Sequence, residues 1–362
     1  MLYDGKAFIR HRRSGVTRYL SELIHEFRAH PELGIDPMTP YRWVANSHLA
    51  EGWPGYTQVP LPGRLRPAVL ERMNARRIRR GSDGADLVHY SLYEPSSLET
   101  WRARSRVCTI YDFTFEHFPQ FLREWGDHLE AKELFIERCD ALICISQATH
   151  DDLLHFHPGL DKPALVVPLG VGQEFLEPKP ARIRGLPDRY LLYVGNRHPH
   201  KNVDLLLSAF AEIRPRYPDL NLVLVGAYLP DETARLKELG IEDRTVRMRV
   251  PDRELPWLYH RAEAFVFPSR YEGFGLPVLE AMAASCPVAM SNAPALLELA
   301  SDVALVFDPD DRDALAGLIE RLLTDREEAE RLRVEGRRRA GEFTWRRTAE
   351  LTVSAYDQAV GK

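Results

Sequence analysis

The alternation of short apolar runs with helical segments is the feature that most constrains what this 362-residue chain can fold into. Most of the runs are apolar at consecutive positions, as expected for strands that are covered on both faces. Segments with a 3.6-residue apolar period, such as 203–210 and 276–284, lie between them. Alternating strands and helices predict parallel sheets with right-handed crossovers, here in two doubly wound α/β domains. The predicted strands cover residues 85–91, 107–112, 141–146, 164–170, 190–195, 220–226, 246–250, 264–269, 287–291 and 304–308.

A stretch rich in proline and glycine predicts where the two domains divide. Residues 172–187 contain three prolines and two glycines but few large apolar side chains, which is typical of a linker. We therefore expect one domain over residues 1–171 and another over residues 172–344. The tail from residue 311 onward is predicted to form consecutive helices rich in Arg and Glu.

Charge and cysteine content exclude several classes of protein. The net charge is −5, with 21 Lys and Arg against 22 Asp and Glu up to residue 170, and 27 against 31 beyond it. Neither half is therefore a basic nucleic-acid-binding body. The four cysteines lack Cys-x-x-Cys spacing, which predicts reduced thiols and neither a zinc site nor disulfides. Because the apolar runs are too short to span a bilayer and the start lacks a secretory signal, we expect a cytosolic protein.

The segment 268–283, PSRYEGFGLPVLEAMA, carries the strongest functional signal. A strand is predicted to end at Ser269, followed by a loop with two glycines and a helix with Pro277 in its first turn, where proline is well tolerated. Amide groups at the start of such a helix point outward and suit phosphate or sugar oxygens. The residues at this helix tip are Gly273, Phe274, Gly275 and Leu276.

Two glutamates flank the helix tip. Glu272 precedes the helix and Glu280 lies about one turn inside it, so both can face one ligand. A carboxylate accepts hydrogen bonds from the paired hydroxyls of a sugar or a ribose. The alternative is an ordinary turn with one buried, capped glutamate. Glutamates are rarely buried without a partner, and two of them around a Gly-x-Gly loop favour a binding site.

A second loop supplies positive charge. Asn196, Arg197 and Lys201 follow the predicted strand 190–195. A diphosphate leaving group gains negative charge in the transition state, and a site without a metal must provide cations or N–H dipoles there. Arg offers a planar fork and Lys a point charge. A solvated basic loop is the alternative.

The sequence favours a site without a metal ion or another cofactor. The Asp-x-Asp at Asp308-Pro309-Asp310 lies between a predicted strand and a helix, where a turn or a helix cap accounts for it. The thirteen histidines lack the spacing of zinc enzymes. His198 and His200 alternate without a nearby acid to complete a ligand set.

Several of these segments resemble the retaining glycosyltransferases of family 4, which have the GT-B fold. Residues 272–280 resemble the family's Glu-x7-Glu signature, and residues 193–202 resemble its first C-terminal strand and its Arg/Lys phosphate loop. The start of the chain resembles the subgroup that builds bacterial surface polysaccharides, in which mannosyltransferases are prominent. Further resemblance lies at residues 3–5, 14–19, 111–116, 145–149 and 168–171.

The resemblance implies two Rossmann-like domains facing a central cleft, with an acceptor on the first and a nucleotide sugar on the second. A hinge near residues 171–187 would close the cleft, and a last helix over about residues 345–362 would cross back to the first domain. The implied reaction moves a sugar from a nucleotide-diphosphate sugar, GDP-mannose first, to a saccharide or a lipid-linked saccharide. A UDP- or dTDP-linked sugar with a small-molecule acceptor is the alternative.

The resemblance also assigns roles to single residues, of which all but Gly15 lie in the predicted second domain. Arg197, Lys201 and Glu272 are implied to act on the leaving diphosphate and the sugar as catalytic residues. Gly15 and Asn196 are implied to join the two glutamates and the helix tip in binding the donor.

On the predicted first domain, the resemblance places the acceptor at Tyr111, Asp112 and Glu116, with Asp112 as a catalytic candidate. Many relatives carry a His-Asp pair where this chain has Tyr111. In the family's front-face attack the leaving phosphate oxygen can take the acceptor proton, so a protein base is dispensable. His89 and His117 are reserve candidates, although a single histidine more often packs or is solvated.

Two turns near the donor loops carry structural expectations. The family usually has glycine where this chain has Ser285, so we expect a small change in that turn. Ser291 or Asn292 is expected to cap the helix that follows the strand 287–291.

The stretch 62–81 is basic, with seven arginines and one acid. Its apolar stripe consists of Val69, Leu70, Met73 and Ile78. A basic amphipathic helix of this kind, from Arg64 to Arg80, can rest on anionic lipid or receive a lipid-diphosphate acceptor. We therefore expect peripheral contact with the inner face of a membrane, with a solvated helix face as the alternative.

Other functions fit the sequence less well. A Rossmann dehydrogenase needs Gly-x-Gly-x-x-Gly after the first strand, and residues 10–17 contain only Gly15. No segment resembles the pyridoxal phosphate lysine or the phosphate subsite of a GT-B phosphorylase, and an epimerase of that fold is the other enzyme alternative. A non-catalytic subunit that binds a sugar nucleotide is the last alternative, and intact Arg197, Lys201 and glutamates argue against it.

Overall fold

Each of two units of the chain is built around one parallel β-sheet. The structure is a computed structural model that describes residues 1–11, 14–46, 56–59, 66–81, 85–101, 103–120, 127–229 and 231–361, with backbone only for 66 and 79–81. Unit 1 comprises Met1–Gly170 and Trp345–Lys362, and unit 2 comprises Val171–Thr344. The two parallel sheets confirm the predicted α/β architecture.

The strands of unit 1 are β1 (Leu2–Tyr3), β2 (Trp43–Val44), β3 (Thr57–Gln58), β4 (Ala85–Tyr90), β5 (Ala103–Ile110), β6 (Ala141–Cys144) and β7 (Ala164–Val166). Five of them form a parallel sheet in the order β1-β4-β5-β6-β7, and β2 pairs with β3 separately. The helices are α1 (Lys6–Arg10), α2 (Gly15–Ala29), α3 (Arg66–Gly81), α4 (Pro95–Thr100), α5 (Thr114–His117), α6 (His128–Arg138), α7 (Gln147–Phe156) and α16 (Trp345–Ala359).

The last helix, α16, is part of unit 1 and is held there by buried polar contacts. The Tyr356 hydroxyl lies 2.8 Å from Nδ1 of His89 in β4 and 3.2 Å from the hydroxyl of Tyr3 in β1. Near the start of α16, the Thr348 hydroxyl donates to the carbonyl of Pro168. Because these groups are buried, each one needs such a partner, and together they fix the helix on the sheet.

The strands of unit 2 are β8 (Tyr190–Val194), β9 (Asn221–Val225), β10 (Thr245–Met248), β11 (Ala264–Phe267), β12 (Val288–Ser291) and β13 (Leu305–Phe307). They form a parallel sheet in the order β10-β9-β8-β11-β12-β13. The helices are α8 (Gln173–Leu176), α9 (Val203–Ile213), α10 (Glu232–Glu238), α11 (Leu255–Arg261), α12 (Leu276–Ala283), α13 (Pro294–Ala300), α14 (Arg312–Thr324) and α15 (Arg326–Ala340). The strand order reverses between β8 and β11, and ligands of such sheets bind at this switch point, outside the carboxyl ends of the strands.

All ten predicted strands are present, with differences at their ends. The strand predicted over residues 164–170 ends at Val166, and the apolar residues after it form a loop. β5 begins at Ala103, earlier than predicted, since its first residues include charged and polar side chains. The predicted linker contains the short helix α8, whose Phe175 is buried.

Two further expectations concern cysteines and the membrane. All four cysteines are buried and unpaired. Within the part of the chain that the structure describes, no helix has the length and apolar character needed to cross a bilayer.

Candidate functional site

The switch point of unit 2 brings together two residues that lie far apart in the sequence. Lys201 follows β8 and Glu272 follows β11, and these strands are neighbours. The Lys201 ammonium lies 2.7 Å from Oε1 and 2.8 Å from Oε2 of Glu272. Only 16% of the lysine side chain and 10% of the glutamate side chain is exposed. The predicted cation and the predicted carboxylate thus form one partly exposed ion pair at the carboxyl ends of the strands.

Backbone contacts between loops hold Lys201 in place. The lysine ends a short 3-10 turn, Pro199–Lys201, and Asn202 after it adopts a left-handed φ of 54°. The Asn202 side chain donates to the carbonyl of Pro309, and the amide of Arg270 donates to the carbonyl of His200 at 2.7 Å. These bonds join the loop after β8 to the loops after β11 and β13, so the lysine does not depend on its own loop alone.

The helix tip beside this ion pair forms as the sequence predicts. α12 begins at Leu276 with Pro277 in its first turn, and its amide groups at the start have no partner within the helix. Gly275 has a φ of 107°, and a Cβ there would lie 2.5 Å from Cδ2 of Leu296. Any other residue would therefore be both strained and crowded. Phe274 is buried, so the tip presents backbone and no bulky side chain.

Glu280 is buried in the second turn of α12, and the structure gives it a partner that the sequence analysis missed. The Tyr259 hydroxyl donates to Oε2 of Glu280 at 3.1 Å. Tyr259 lies on α11, before β11 in the chain, and nothing in its local sequence points to the glutamate. The two residues meet only because α11 and α12 pack side by side in unit 2.

Arg197, which the sequence analysis predicts to act on a diphosphate from its loop, lies inside the protein. Its Nε donates to Oε2 of Glu232 at 2.9 Å, and Nη1 donates to the carbonyls of Gly195 and Val225. The residue is 5% exposed, and Nη2 is buried without a hydrogen bond to any residue that the structure describes. Its guanidinium carbon lies 4.9 Å from the ring centroid of Tyr193.

The physical reason for this inward position is the buried carboxylate at the start of α10. A buried charge is stable only with a close partner, and Glu232 and Arg197 are both buried. The strand ends are also crowded, since a Cβ at Gly226 would lie 2.1 Å from the carbonyl oxygen of Gly195. Arg197 bridges these two strand ends. The predicted contact between Arg197 and a diphosphate stays a prediction, and Lys201 is the cation that faces Glu272.

Asn196 is exposed at the same loop. Its side-chain oxygen accepts from the amide of His198, and its carbonyl accepts from the Tyr193 hydroxyl at 2.7 Å. Burial raises the pKa of Tyr193, so this hydroxyl stays a donor. Asn196 is therefore well placed in the loop by its backbone, and its predicted contact with a ligand stays a prediction.

In unit 1, the predicted acceptor residues follow β5. The Tyr111 hydroxyl donates to the carbonyl of Ser91, and the Asp112 carboxylate accepts from the amide of Thr114. Burial raises the pKa of Tyr111 well above its ordinary value. Both side chains thus have structural partners within unit 1, and their contact with an acceptor stays a prediction.

Glu116 pairs with Lys132 of α6, a residue that the sequence analysis did not select. The Lys132 ammonium donates to Oε1 of Glu116 at 2.6 Å and to the carbonyl of Asp112 at 2.7 Å, and it lies 3.4 Å from the ring centroid of Phe113. Burial lowers the pKa of Lys132, while Glu116 and Asp112 act in the opposite direction. Oε2 of Glu116 is buried without a hydrogen bond among the described residues.

Three other predicted positions also have structural roles. Gly15 begins α2, where Ser14 and Thr17 form a capping box, and it is exposed. His89 is fully buried between Thr109 and Tyr356, and burial lowers its pKa to about 3. His89 is therefore a neutral packing residue. The exposed His117 lies 3.0 Å from Asp152.

The acidic turn after β13 has the predicted structural explanation. The Asp308 carboxylate accepts from the amide of Asp310, and Asp311 caps α14 by accepting from the amide of Ala314. Among the residues that the structure describes, no cluster of three or more His, Cys, Asp or Glu side chains could hold a metal ion. Gly273 and the residues at the start of α12 belong to the loop after β11, which also contains Glu272.

The prediction that Ser291 or Asn292 caps the helix after β12 is wrong. α13 begins at Pro294, Ala293 occupies the cap position, and no side chain caps it. The Ser291 hydroxyl instead donates to the carbonyl of Ser269, which ties β12 to β11. Ser285 adopts a left-handed φ of 57°, the conformation that glycine would take without strain.

Comparison with known proteins bears on both units. The chain matches Glycosyl transferases group 1 over residues 179–339 and Glycosyltransferase Family 4 over residues 13–175. It is 30% identical over 312 residues to O-antigen chain mannosyltransferase B of Escherichia coli, a match that covers 81% of each chain. It is 34% identical over 248 residues to the MMP alpha-(1->4)-mannosyltransferase of Mycolicibacterium hassiacum, covering 67% of this chain and 59% of that protein.

A solved structure is similar over the full length of the chain. HepE from Anabaena, in complex with UDP-glucose, has a TM-score of 0.71 and 16% identity, and the match covers 98% of this chain and 97% of that one. This similarity shows the fold, which is the predicted GT-B fold. Together with the match to the Escherichia coli enzyme, it leads to one conclusion: the chain belongs to glycosyltransferase family 4 and is a glycosyltransferase.

Proposed function

We propose that this chain transfers a mannosyl group from GDP-mannose, with retention of configuration, to a saccharide or lipid-linked saccharide in the synthesis of a surface polysaccharide. The structural observation that carries the proposal is the Lys201–Glu272 ion pair beside the N-terminus of α12, at the switch point of a Rossmann-like sheet. The sugar and the product class are supported by the names of the relatives, O-antigen chain mannosyltransferase B above all.

Unit 2 would bind the donor. Lys201 and the amides of the helix tip would receive the diphosphate, because a cation and helix N–H groups both favour anionic oxygens. Glu280 would accept hydrogen bonds from the ribose hydroxyls, and Glu272 from hydroxyls of the sugar. Arg197 would act indirectly. Its guanidinium donates to carbonyls at the carboxyl ends of β8 and β9 and so fixes the start of the phosphate loop.

Transfer would need no divalent metal and no protein base. The acceptor oxygen would form its bond to the anomeric carbon on the face from which the phosphate oxygen departs. The electron pair of the broken bond would remain on that phosphate oxygen, which takes the acceptor proton. Lys201 and the α12 amides would stabilise the charge that develops there, the largest single contribution in reactions of this type.

Unit 1 would bind the acceptor near the carboxyl end of β5. Asp112 is fixed by Thr114 and by Lys132 beneath its carbonyl, which supports a role in holding an acceptor hydroxyl. Tyr111 and Glu116 belong to the same segment. Gly15, which the sequence analysis assigns to donor binding, lies at the exposed start of α2.

The experiment that tests the proposal is a thermal-shift screen with GDP, UDP, dTDP and ADP, followed by their sugar conjugates in the presence of EDTA. We expect GDP and GDP-mannose to give the largest shifts, and GDP to be released when a polysaccharide-type acceptor is added. A preference for UDP would favour the alternative donor, which HepE binds. Binding without release under any acceptor would indicate a non-catalytic subunit, and loss of all activity in EDTA would contradict the metal-free reaction.

A second part of the proposal concerns the membrane. The inward face of α3 is fixed by Asn74, which accepts from the amides of Arg42 and Trp43 and donates to the carbonyl of Trp43. Elsewhere on its surface the helix exposes Val69, Met73, Arg72, Arg76 and Arg77. Exposed apolar side chains beside arginines suit anionic lipid headgroups. Arg64 lies outside the described residues, and for Arg66, Arg79 and Arg80 only the backbone is described.

Vesicle sedimentation tests this contact. We expect binding to vesicles that contain phosphatidylglycerol and none to phosphatidylcholine vesicles. The double variant Arg72→Glu/Arg76→Glu should lose the binding, whereas Arg337→Glu/Arg338→Glu, on an exposed helix face of unit 2, should retain it. Equal binding by both variants would leave α3 as a solvated helix.

A further inference from the structure

The carboxylate of Glu280 lies in a helix that is otherwise apolar, and one of its oxygens has a fixed donor. The Tyr259 hydroxyl donates to Oε2 of Glu280 at 3.1 Å, and the tyrosine is fully buried. Leu279 and Ala281, on either side of Glu280, are fully buried as well. A carboxylate in such surroundings needs hydrogen-bond donors from the protein, and Tyr259 supplies one of them.

The tyrosine ring that carries this hydroxyl is fixed from several sides. Its centroid lies 5.2 Å from that of Phe265 in an edge-to-face contact, and 6.0 Å from that of Phe175. The residues on either side of Tyr259 in α11 are held by hydrogen bonds to other parts of unit 2. The Tyr190 hydroxyl donates to the carbonyl of Leu258 at 2.7 Å, and Nδ1 of His260 lies 3.1 Å from the carbonyl oxygen of Ala284.

A fixed donor sets the direction of the whole carboxylate group. Because a carboxylate is planar, holding Oε2 also fixes where Oε1 points and where the other lone pairs of Oε2 lie. An ionised carboxylate has about four acceptor positions, so it can accept from more than one donor at once, and a ligand hydroxyl can bind it together with Tyr259. Orientation before binding removes the rotamer cost that a free glutamate would have when the ligand arrives.

We propose that Tyr259 is a positioning residue that orients Glu280 toward the ribose hydroxyls of the nucleotide. The inference rests on the proposed function, since it requires Glu280 to face a ribose. Tyr259 itself does not touch the ligand. Its effect is confined to the ribose hydroxyls that Glu280 binds. It therefore raises the affinity for a ribonucleotide and does not change the affinity for a nucleotide without those hydroxyls.

The experiment is a calorimetric comparison of GDP with 2′,3′-dideoxy-GDP, repeated with UDP and 2′,3′-dideoxy-UDP. The test variant is Tyr259→Phe, which removes one oxygen. Tyr190→Phe is a matched control, because Tyr190 is also fully buried and its hydroxyl donates into the same helix, to the Leu258 carbonyl. Glu280→Gln reports on the carboxylate itself.

We expect Tyr259→Phe to bind the ribonucleotide about five- to tenfold more weakly, a loss of the size of one ordinary hydrogen bond, and to bind the dideoxynucleotide as wild type does. Tyr190→Phe should keep the wild-type ratio of the two affinities, even where its melting temperature falls. Should Tyr259→Phe not fold, Tyr259→Met, which is also apolar and adapts its shape, should show the same loss.

The outcomes separate this inference from the proposed function. If Glu280→Gln removes the preference for ribose and Tyr259→Phe does not, the positioning role is overturned and the donor site stands. An equal weakening of both nucleotides by Tyr259→Phe also overturns it, because that is the result of a structural role alone. If wild type binds no nucleotide, or if Glu280→Gln keeps the preference, the assignment of Glu280 fails and this inference fails with it.

Discussion

The carboxyl ends of the strands in unit 2 and in unit 1 hold charged groups in different states. In unit 2, Lys201 and Glu272 face each other with part of each side chain exposed. In unit 1, Asp4 is fully buried and accepts from Ser91 and Ser97, and Lys132 is enclosed by Glu116 and the carbonyl of Asp112. The first pair can exchange partners with a ligand, whereas the Asp4 carboxylate and the Lys132 ammonium cannot do so without unfolding part of their surroundings.

This difference teaches which charges serve binding and which serve the fold. Glu272 and Glu116 are each 10% exposed, but Lys201 is 16% exposed and Lys132 only 2%, so water can replace Lys201 more readily than Lys132. A buried charge is strongly destabilising once its partner is removed. Substitutions at the two sites should therefore have opposite signatures, a loss of turnover with a stable fold in unit 2 and a loss of stability in unit 1.

The largest expected effect is that of Lys201→Ala on turnover. If Lys201 stabilises the leaving diphosphate, the rate of nucleoside diphosphate release should fall by about 10²–10³. The unfolding midpoint in urea should fall less than it does for Lys132→Met, because water can reach the place of the Lys201 ammonium more easily. Lys237→Ala, on an exposed helix of the same unit, should change neither quantity. Wild-type turnover in Lys201→Ala would remove the lysine from the mechanism.

Lys132→Met should destabilise unit 1. It leaves Glu116 buried without its partner, and the free energy of unfolding should fall by about 3–5 kcal/mol. The double variant Lys132→Met/Glu116→Gln should recover part of that loss, which urea unfolding followed by tryptophan fluorescence measures. A Lys132→Met protein that unfolds like wild type but has lost turnover would show that Lys132 belongs with Lys201 and would break the contrast between the units.

The pH dependence of stability sharpens the same contrast through His89. Burial lowers its pKa to about 3, so the folded state keeps it neutral while the unfolded state protonates it below about 6.5. The contribution of neutral His89 to the free energy of unfolding is complete above about pH 6.5 and is lost as the pH falls toward 3. Burial raises the pKa of Asp4 to about 6, so this group acts in the opposite direction and gains stability as the pH falls below 6.

We therefore compare wild type with His89→Gln between pH 6 and pH 4. The slope of the unfolding free energy against pH should differ by about 1.4 kcal/mol per pH unit, with wild type losing stability faster on acidification. Urea unfolding at several pH values in this range measures both slopes. Parallel slopes would mean that His89 is protonated in the folded state.

The smallest expected effect is that of Ser285→Gly in the turn after α12. Ser285 has a φ of 57°, which costs a non-glycine residue about 1–2 kcal/mol. Part of this strain is offset because glycine is more flexible in the unfolded state, so we expect a gain of about 1 kcal/mol or less in unfolding free energy. Turnover should not change. A loss of stability would indicate that the serine hydroxyl has a role of its own.

Features that lie within one segment of the chain could be predicted from the sequence. The strand, loop and helix around Glu272 could be predicted because an apolar run, two glycines and a proline stand in one stretch of chain. The position of Lys201 was predicted as a loop cation, and its distance to Glu272 required the strand order.

Contacts between segments could not be predicted. Tyr259 and Glu280 are 21 residues apart, and Arg197 and Glu232 are 35 apart, so both pairs depend on how helices pack. Arg197 was predicted from its place in the loop after the strand 190–195, and that segment carries no local signal for its burial against Glu232. Lys132 was missed for the same reason.

The central claim is that the switch point of unit 2 binds a nucleoside diphosphate through Lys201 and Glu280 without a metal ion. The most direct measurement is calorimetric titration of GDP, with UDP in parallel, into wild type, Lys201→Ala and Glu280→Gln in EDTA. The account predicts saturable binding by wild type and at least about tenfold weaker binding by each variant, in line with the loss of one charge-assisted contact. Equal affinities in all three proteins, or binding that appears only when a divalent metal is added, would contradict it.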